Sequence, residues 1–99
     1  PASAAAPGPA PRMTRPAWLL SEPQPLAERQ AGPWWQGRPL HLLAGPERIE
    51  SGWWDGGWAS RDYYVAQAGG GGGPLLWVFR LRPAPPAGQP GWFLHGRFG

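Results

Sequence analysis

The sequence predicts an all-β fold: a small antiparallel meander or open barrel of about five strands, preceded by an extended Pro-rich N-terminal arm. Three observations predict it. Short apolar runs alternate with Gly/Pro punctuation from Arg38 onward, the usual sign of strands and tight connections. Ten of the 13 aromatic residues lie in those last 62 residues, which gives a small domain enough bulk for a core. Upstream, Pro16, Pro23, Pro25 and Pro33 forbid a long helix.

Residues 1–14 begin with the Pro/Ala run PASAAAPGPAPR and read as an extended linker with nothing to pack. Residues 15–37 read as the arm. Within it Trp18, Leu19 and Leu20 form an apolar run of strand length, an edge strand or clasp lying on the domain. Leu26 to Gln30 has room for one helical turn. The domain proper spans residues 38–99. Its first strand is Arg38 to Leu43, ended by Ala44-Gly45-Pro46. The second is Glu47 to Trp54, ended by Asp55-Gly56-Gly57, a strong hairpin signal because Asp and Gly tolerate positive φ. The third is Arg61 to Ala68, followed by the flexible run Gly69 to Gly73, where length is free to vary. The fourth is Leu75 to Arg82, ended by the Pro-rich stretch Pro83 to Gly91. The fifth is Trp92 to Phe98. Connections this short make neighbours antiparallel. No internal repeat is present.

Period two assigns the faces. Leu75, Trp77, Phe79 and Leu81 share one face of the fourth strand, against Leu76, Val78, Arg80 and Arg82. Trp92, Leu94 and Phe98 share one face of the fifth, against Phe93, His95 and Arg97. Joined across the sheet, one face is expected to be apolar throughout, including Trp53, Trp77 and Trp92. The other interleaves Arg with Trp54, Phe93, Leu43 and Tyr64.

Composition limits the chemistry. Ala, Gly, Pro and Arg make up more than half of the 99 residues. Lys, Asn and Cys are absent, so every basic side chain is Arg, a bias GC-rich codons alone would produce. Zero Cys excludes disulfides, Cys-ligated zinc and thiol nucleophiles. The apolar runs are too short for a membrane helix, and the N-terminus lacks a signal-peptide layout. The chain opens on Pro1, so it is expected to be a segment of a longer protein.

No catalytic constellation emerges. Asp55 suits a turn, and the other acids suit ion pairs with Arg48 or Arg61 rather than a paired-carboxylate site. His41 and His95 fall on one face and are expected to be near each other, but lack a third ligand type, so no metal or cofactor is expected. Ser3, Ser21, Ser51 and Ser60 lie outside any nucleophile motif, and the glycine run lacks the Lys-Ser/Thr of a phosphate loop. The mixed face carries two readings. Trp, Tyr and Arg are the usual hot-spot residues of protein interfaces. Arg80, Arg82 and Arg97 beside exposed rings also suit single-stranded nucleic acid. The domain has six Arg against four acids, a mild basic footprint.

Four strings carry a resemblance: AGPERIESGWWDG (Ala44 to Gly56), RDYYVA (Arg61 to Ala66), LWVFR (Leu76 to Arg80) and GWFLHGRFG (Gly91 to Gly99). Together with RPAWLLSEPQPL (Arg15 to Leu26), they resemble the C-terminal region of the ImuB family. These are Y-family-like DNA polymerase homologues of the bacterial damage response. The resemblance implies a non-catalytic hub that links a sliding clamp, a RecA-like (ImuA-type) partner and an error-prone C-family polymerase during translesion synthesis, in the cytoplasm at the nucleoid. No clamp-binding motif is evident here, so clamp contact would fall elsewhere in such a protein. The role expected of this region is partner docking, with DNA contact as the alternative. The candidate contact residues are Trp18, Trp54, Trp58, Tyr64, Arg80, Arg82, Phe93 and Arg97. The resemblance assigns no residue-level role within AGPERIESGWWDG, and none to Trp58 or Gly69 to Gly73.

Overall fold

The computed structural model describes residues 15–50, 60–69 and 72–98. Among them there are seven strands and no helix. They are β1 (Trp18–Pro25), β2 (Ala27–Arg29), β3 (Gly32–Trp35), β4 (Arg38–Glu50), β5 (Ser60–Ala68), β6 (Leu75–Arg82) and β7 (Trp92–Arg97). All pairings are antiparallel, in the order β1-β7-β6-β5-β4-β3-β2. Strands β2 to β7 therefore form a meander, and β1 adds to its last strand. Because β1 and β2 sit at opposite edges yet are joined by Leu26 alone, the sheet must curl until its edges approach. Leu26 is buried at that seam, and its N–H donates to the Trp92 carbonyl at 2.9 Å.

The all-β class and antiparallel connectivity are as expected, but strand count differs for two reasons. First, Arg38 to Glu50 is one strand of 13 residues rather than two. Ala44-Gly45-Pro46 does not turn the chain back. It is absorbed as two register irregularities against β5, with Gly45 at φ 116° and a cis Gly45-Pro46 bond. A Cβ on Gly45 would meet the Tyr63 carbonyl oxygen at 2.6 Å, so Gly is what lets the two backbones pass. Second, the arm is pleated into the sheet. Ala27–Arg29 is a strand, not a helical turn, because Gln30-Ala31 reverses the chain with both residues at positive φ (53° and 66°). Gln36-Gly37 does the same before β4, at 52° and 78°. Two-residue hairpins with positive φ twice have the twist that antiparallel strands require. The Asp55-Gly57 turn and Trp53 lie outside the described residues, but the flanking strands pair antiparallel, with Glu50 opposite Ser60.

The two faces are each buried, and they divide differently from the expected pattern. Leu40, Ala66, Leu76, Val78, Trp92 and Leu94 form one cluster with Leu26. Leu20 of β1 and Trp35 of β3 also pack on it, so residues from both ends of the strand order converge there. This is the inside of the curl. Tyr63, Trp77 and Phe79 form a second cluster on the outside, joined by Ile49, Leu81, Phe93 and Phe98. Alternation holds along β6 and from Trp92 to Leu94 of β7, but β7 meets β6 with the opposite facing. Phe79 lies opposite Phe93, and Val78 opposite Leu94. The register then slips, with Trp77 opposite Gly96, which carries Phe98 to the outer side. No face is therefore purely apolar.

Two stability predictions follow from this packing. Phe79→Ala removes a fully buried ring from the outer cluster and is expected to cost about 3–5 kcal/mol in a urea melt. Ala31→Gly relieves a left-handed backbone and is expected to raise stability by up to about 1 kcal/mol; a lower midpoint for that variant would contradict the hairpin geometry.

Candidate functional site

The inner face changes character along its length. At one end it is ionic. Asp62 is 5% exposed and sits between Arg48 on β4 and Arg82 on β6. Arg48 Nε donates to Asp62 Oδ1 at 2.9 Å, and Arg82 Nε lies 3.5 Å from Oδ2. The hydrogen bond and charge of Asp62 push the Arg48 guanidinium above its ordinary pKa. Beside them the Arg80 guanidinium lies over the Trp92 ring at 5.6 Å, and Tyr64 tilts against the same ring at 5.5 Å. Three of the candidate contact residues, Tyr64, Arg80 and Arg82, are thus brought together. Their ring and charge contacts are already satisfied within the chain.

At the other end the inner face opens. A cavity of about 210 Å³ is lined by Trp18 and Leu20 of β1, Trp35 of β3, Leu76, Leu94 and Arg97. Trp18 is 63% exposed and its neighbour Leu19 is 61% exposed. Arg97 lies opposite Trp18 in the register and is exposed. Phe93 does not join this group: it stacks on Phe79 at 5.1 Å on the outer face. Trp54 and Trp58 lie outside the described residues. Cavity-lining Trp35 and Gln36 were not among the candidates. Only the three-dimensional return of the β3–β4 turn places them beside β1, and local sequence carries no sign of it.

The outer face holds an aromatic stack capped by arginines. Tyr63 stacks on Trp77 at 4.0 Å, and His95 stacks on Trp77 at 5.3 Å. Arg61 covers Phe79 at 4.5 Å. Arg15 covers Trp77 at 5.4 Å while its two terminal nitrogens donate to Glu47 at 2.7 and 2.9 Å. Arg61 donates to the Tyr63 hydroxyl at 3.2 Å, and that hydroxyl is hydrogen-bonded to His95 Nδ1 at 2.8 Å. Burial pushes the Tyr63 phenol up and the His95 imidazole down, the latter with help from the Arg61 charge. His41 and His95 do share this side, but β5 and β6 stand between their strands, so they are not neighbours. Among the described residues no group of three His, Asp or Glu could hold a metal.

Three of the acids are engaged structurally. Asp62 holds two arginines, Glu47 holds Arg15, and Glu50 accepts from the Ser60 hydroxyl at 3.2 Å. This also accounts for the PERIE stretch: Glu47 and Ile49 serve the outer face while Arg48 serves the inner one.

The His95 environment has a pH consequence. Its folded-state pKa is lowered, so the neutral ring contributes stability above the ordinary value of about 6.5, and that contribution is lost as pH falls below it. The melting temperature is expected to drop between pH 7 and 5, and His95→Phe is expected to flatten that drop. An unchanged pH profile in the variant would contradict it.

No family model matches the chain, and no solved structure matches it. Two curated relatives do, both named Protein ImuB, from Caulobacter vibrioides strains NA1000 / CB15N and ATCC 19089 / CIP 103742 / CB 15. Each is 35% identical over 75 residues, covering 66% of this chain and 16% of the relative. The chain thus spans about a sixth of the length of the curated relatives it matches, and is similar to one region of ImuB.

Proposed function

We propose that this chain is a non-catalytic protein-interaction domain of an ImuB-like factor acting in translesion synthesis during the bacterial DNA-damage response. It docks a RecA-like (ImuA-type) partner, an error-prone C-family polymerase, or both, in the cytoplasm at the nucleoid. Clamp contact belongs to regions outside this chain. The similarity to ImuB supports the setting. The distribution of unused apolar surface supports docking: Trp18 and Leu19 stand exposed on an edge strand beside an open apolar cavity. The engagement of Glu47, Glu50 and Asp62 with neighbouring side chains favours a role without catalysis.

Single-stranded DNA is the second reading, favoured by Arg48 and Arg82 on the Asp62 carboxylate with Arg80 alongside over the Trp92 ring. Base stacking needs free ring faces, however, and Trp92 is 3% exposed. Protein docking is the better supported of the two.

A pull-down of the chain against the RecA-like protein and the polymerase is expected to retain at least one of them. Retention of neither would overturn the docking role. Tight binding to single-stranded DNA that weakens steeply with salt would instead establish the second reading.

A further inference from the structure

We propose that the seam between β1 and the β3–β4 turn takes an extended, acidic-apolar peptide segment of a partner protein as an added strand. The inference rests on the protein-docking reading above and names the chemistry of its ligand.

Four observations converge there. The free edge of β1 has no strand against it among the described residues, since β1 ends the sheet order. Such an edge offers unpaired backbone groups to another chain. Pro23 and Pro25 lack an N–H, so the backbone donors on offer run from Trp18 to Glu22, a stretch whose pairing with β7 is irregular beyond Leu19. The seam is not closed at this end: Trp18 and Leu20 of β1 and Trp35 line the same cavity of about 210 Å³. That is larger than the apolar cavity of about 150 Å³ that admits benzene, so one large apolar side chain fits. Exposed Trp18 and Leu19 extend the apolar surface along the edge.

Charge selects the occupant. Arg97 lines the cavity, is exposed, and has no ion-pair partner among the described residues. A partner carboxylate would supply one, so the segment carries an Asp or Glu near its apolar anchor. A basic segment would be repelled, and a helix would leave the β1 edge unpaired.

The test uses the 99-residue chain as bait for a display library of random nine-residue segments. The expected result is enrichment of segments with a large apolar residue near an acid. Affinity is expected to fall about tenfold on Arg97→Glu, and in that variant the library preference should turn basic. A backbone N-methylated copy of the enriched peptide should lose binding, with its side chains unchanged. No enrichment, basic enrichment by the wild type, indifference to Arg97→Glu, or undiminished binding of the N-methylated peptide would each overturn the proposal. So would self-association through this edge in sedimentation, which would make a second copy the occupant. Equal retention of the full-length partners by wild type and Arg97→Glu would sink this site while leaving the docking role intact. Retention of neither by wild type, with peptide binding intact, would sink the docking role instead.

Discussion

Strand β6 is buried from both sides, and the rest of the molecule is arranged around that fact. Leu76 and Val78 face the inside of the curl, while Trp77 and Phe79 face outward, and all four are buried. A single sheet has one inside, so the outer pair needs its own cover. The structure supplies it from rings and guanidiniums: Tyr63, Phe93 and His95 stack alongside, and Arg15 and Arg61 lie over the ring faces. Arginine suits this task because its planar, weakly hydrated head can rest on an aromatic face while remaining partly in water. The basic complement is Arg alone, and on this face it is used as packing material.

The inner face resolves a different problem. Curling the sheet brings its edges together, and Leu26 ties them at one end through a backbone hydrogen bond to β7. The opposite end stays open, and the two most exposed large apolar groups among the described residues, Trp18 and Leu19, are found there. The ionic end around Asp62 shows the contrast. A buried carboxylate is costly unless paired, and here two arginines from neighbouring strands converge on it. The residues with most obvious chemistry are thus occupied with holding the sheet, and the surface left for a partner is apolar edge and an unpaired Arg97.

Much of this was legible in the sequence. Leu75 to Arg82 is a strand with the bounds its composition indicates, and the strands around Tyr63 and Leu94 differ by a residue at most. The Trp18–Leu20 run proved to belong to an edge strand, one of the alternatives its length allowed. What escaped was relational. Alternation gives the two sides of one strand but not which side its neighbour presents, and β6 is apolar on both, so Trp92 and Trp77 could not be separated. The slip opposite Trp77 then moved Phe98 across the sheet. Gln30-Ala31 carries no turn signature, because neither residue favours positive φ. Gly45-Pro46 looks like a chain reversal and is instead a kink within one strand, since a bulge and a turn draw on the same residues. Around the candidate site, Arg80, Arg82 and Tyr64 share one face as strand parity indicates, while Phe93 lies on the other and Trp35 is reached only through the fold.

Residue-resolved native-state hydrogen exchange tests the central claim most directly. If two-sided burial of β6 organises the fold, the amides of Leu76 to Phe79 should exchange slowest, at a free energy close to global unfolding, while Trp18 to Ser21 at the open edge exchange among the fastest of the strand residues. Protection of β6 no greater than that of β1 would contradict the account.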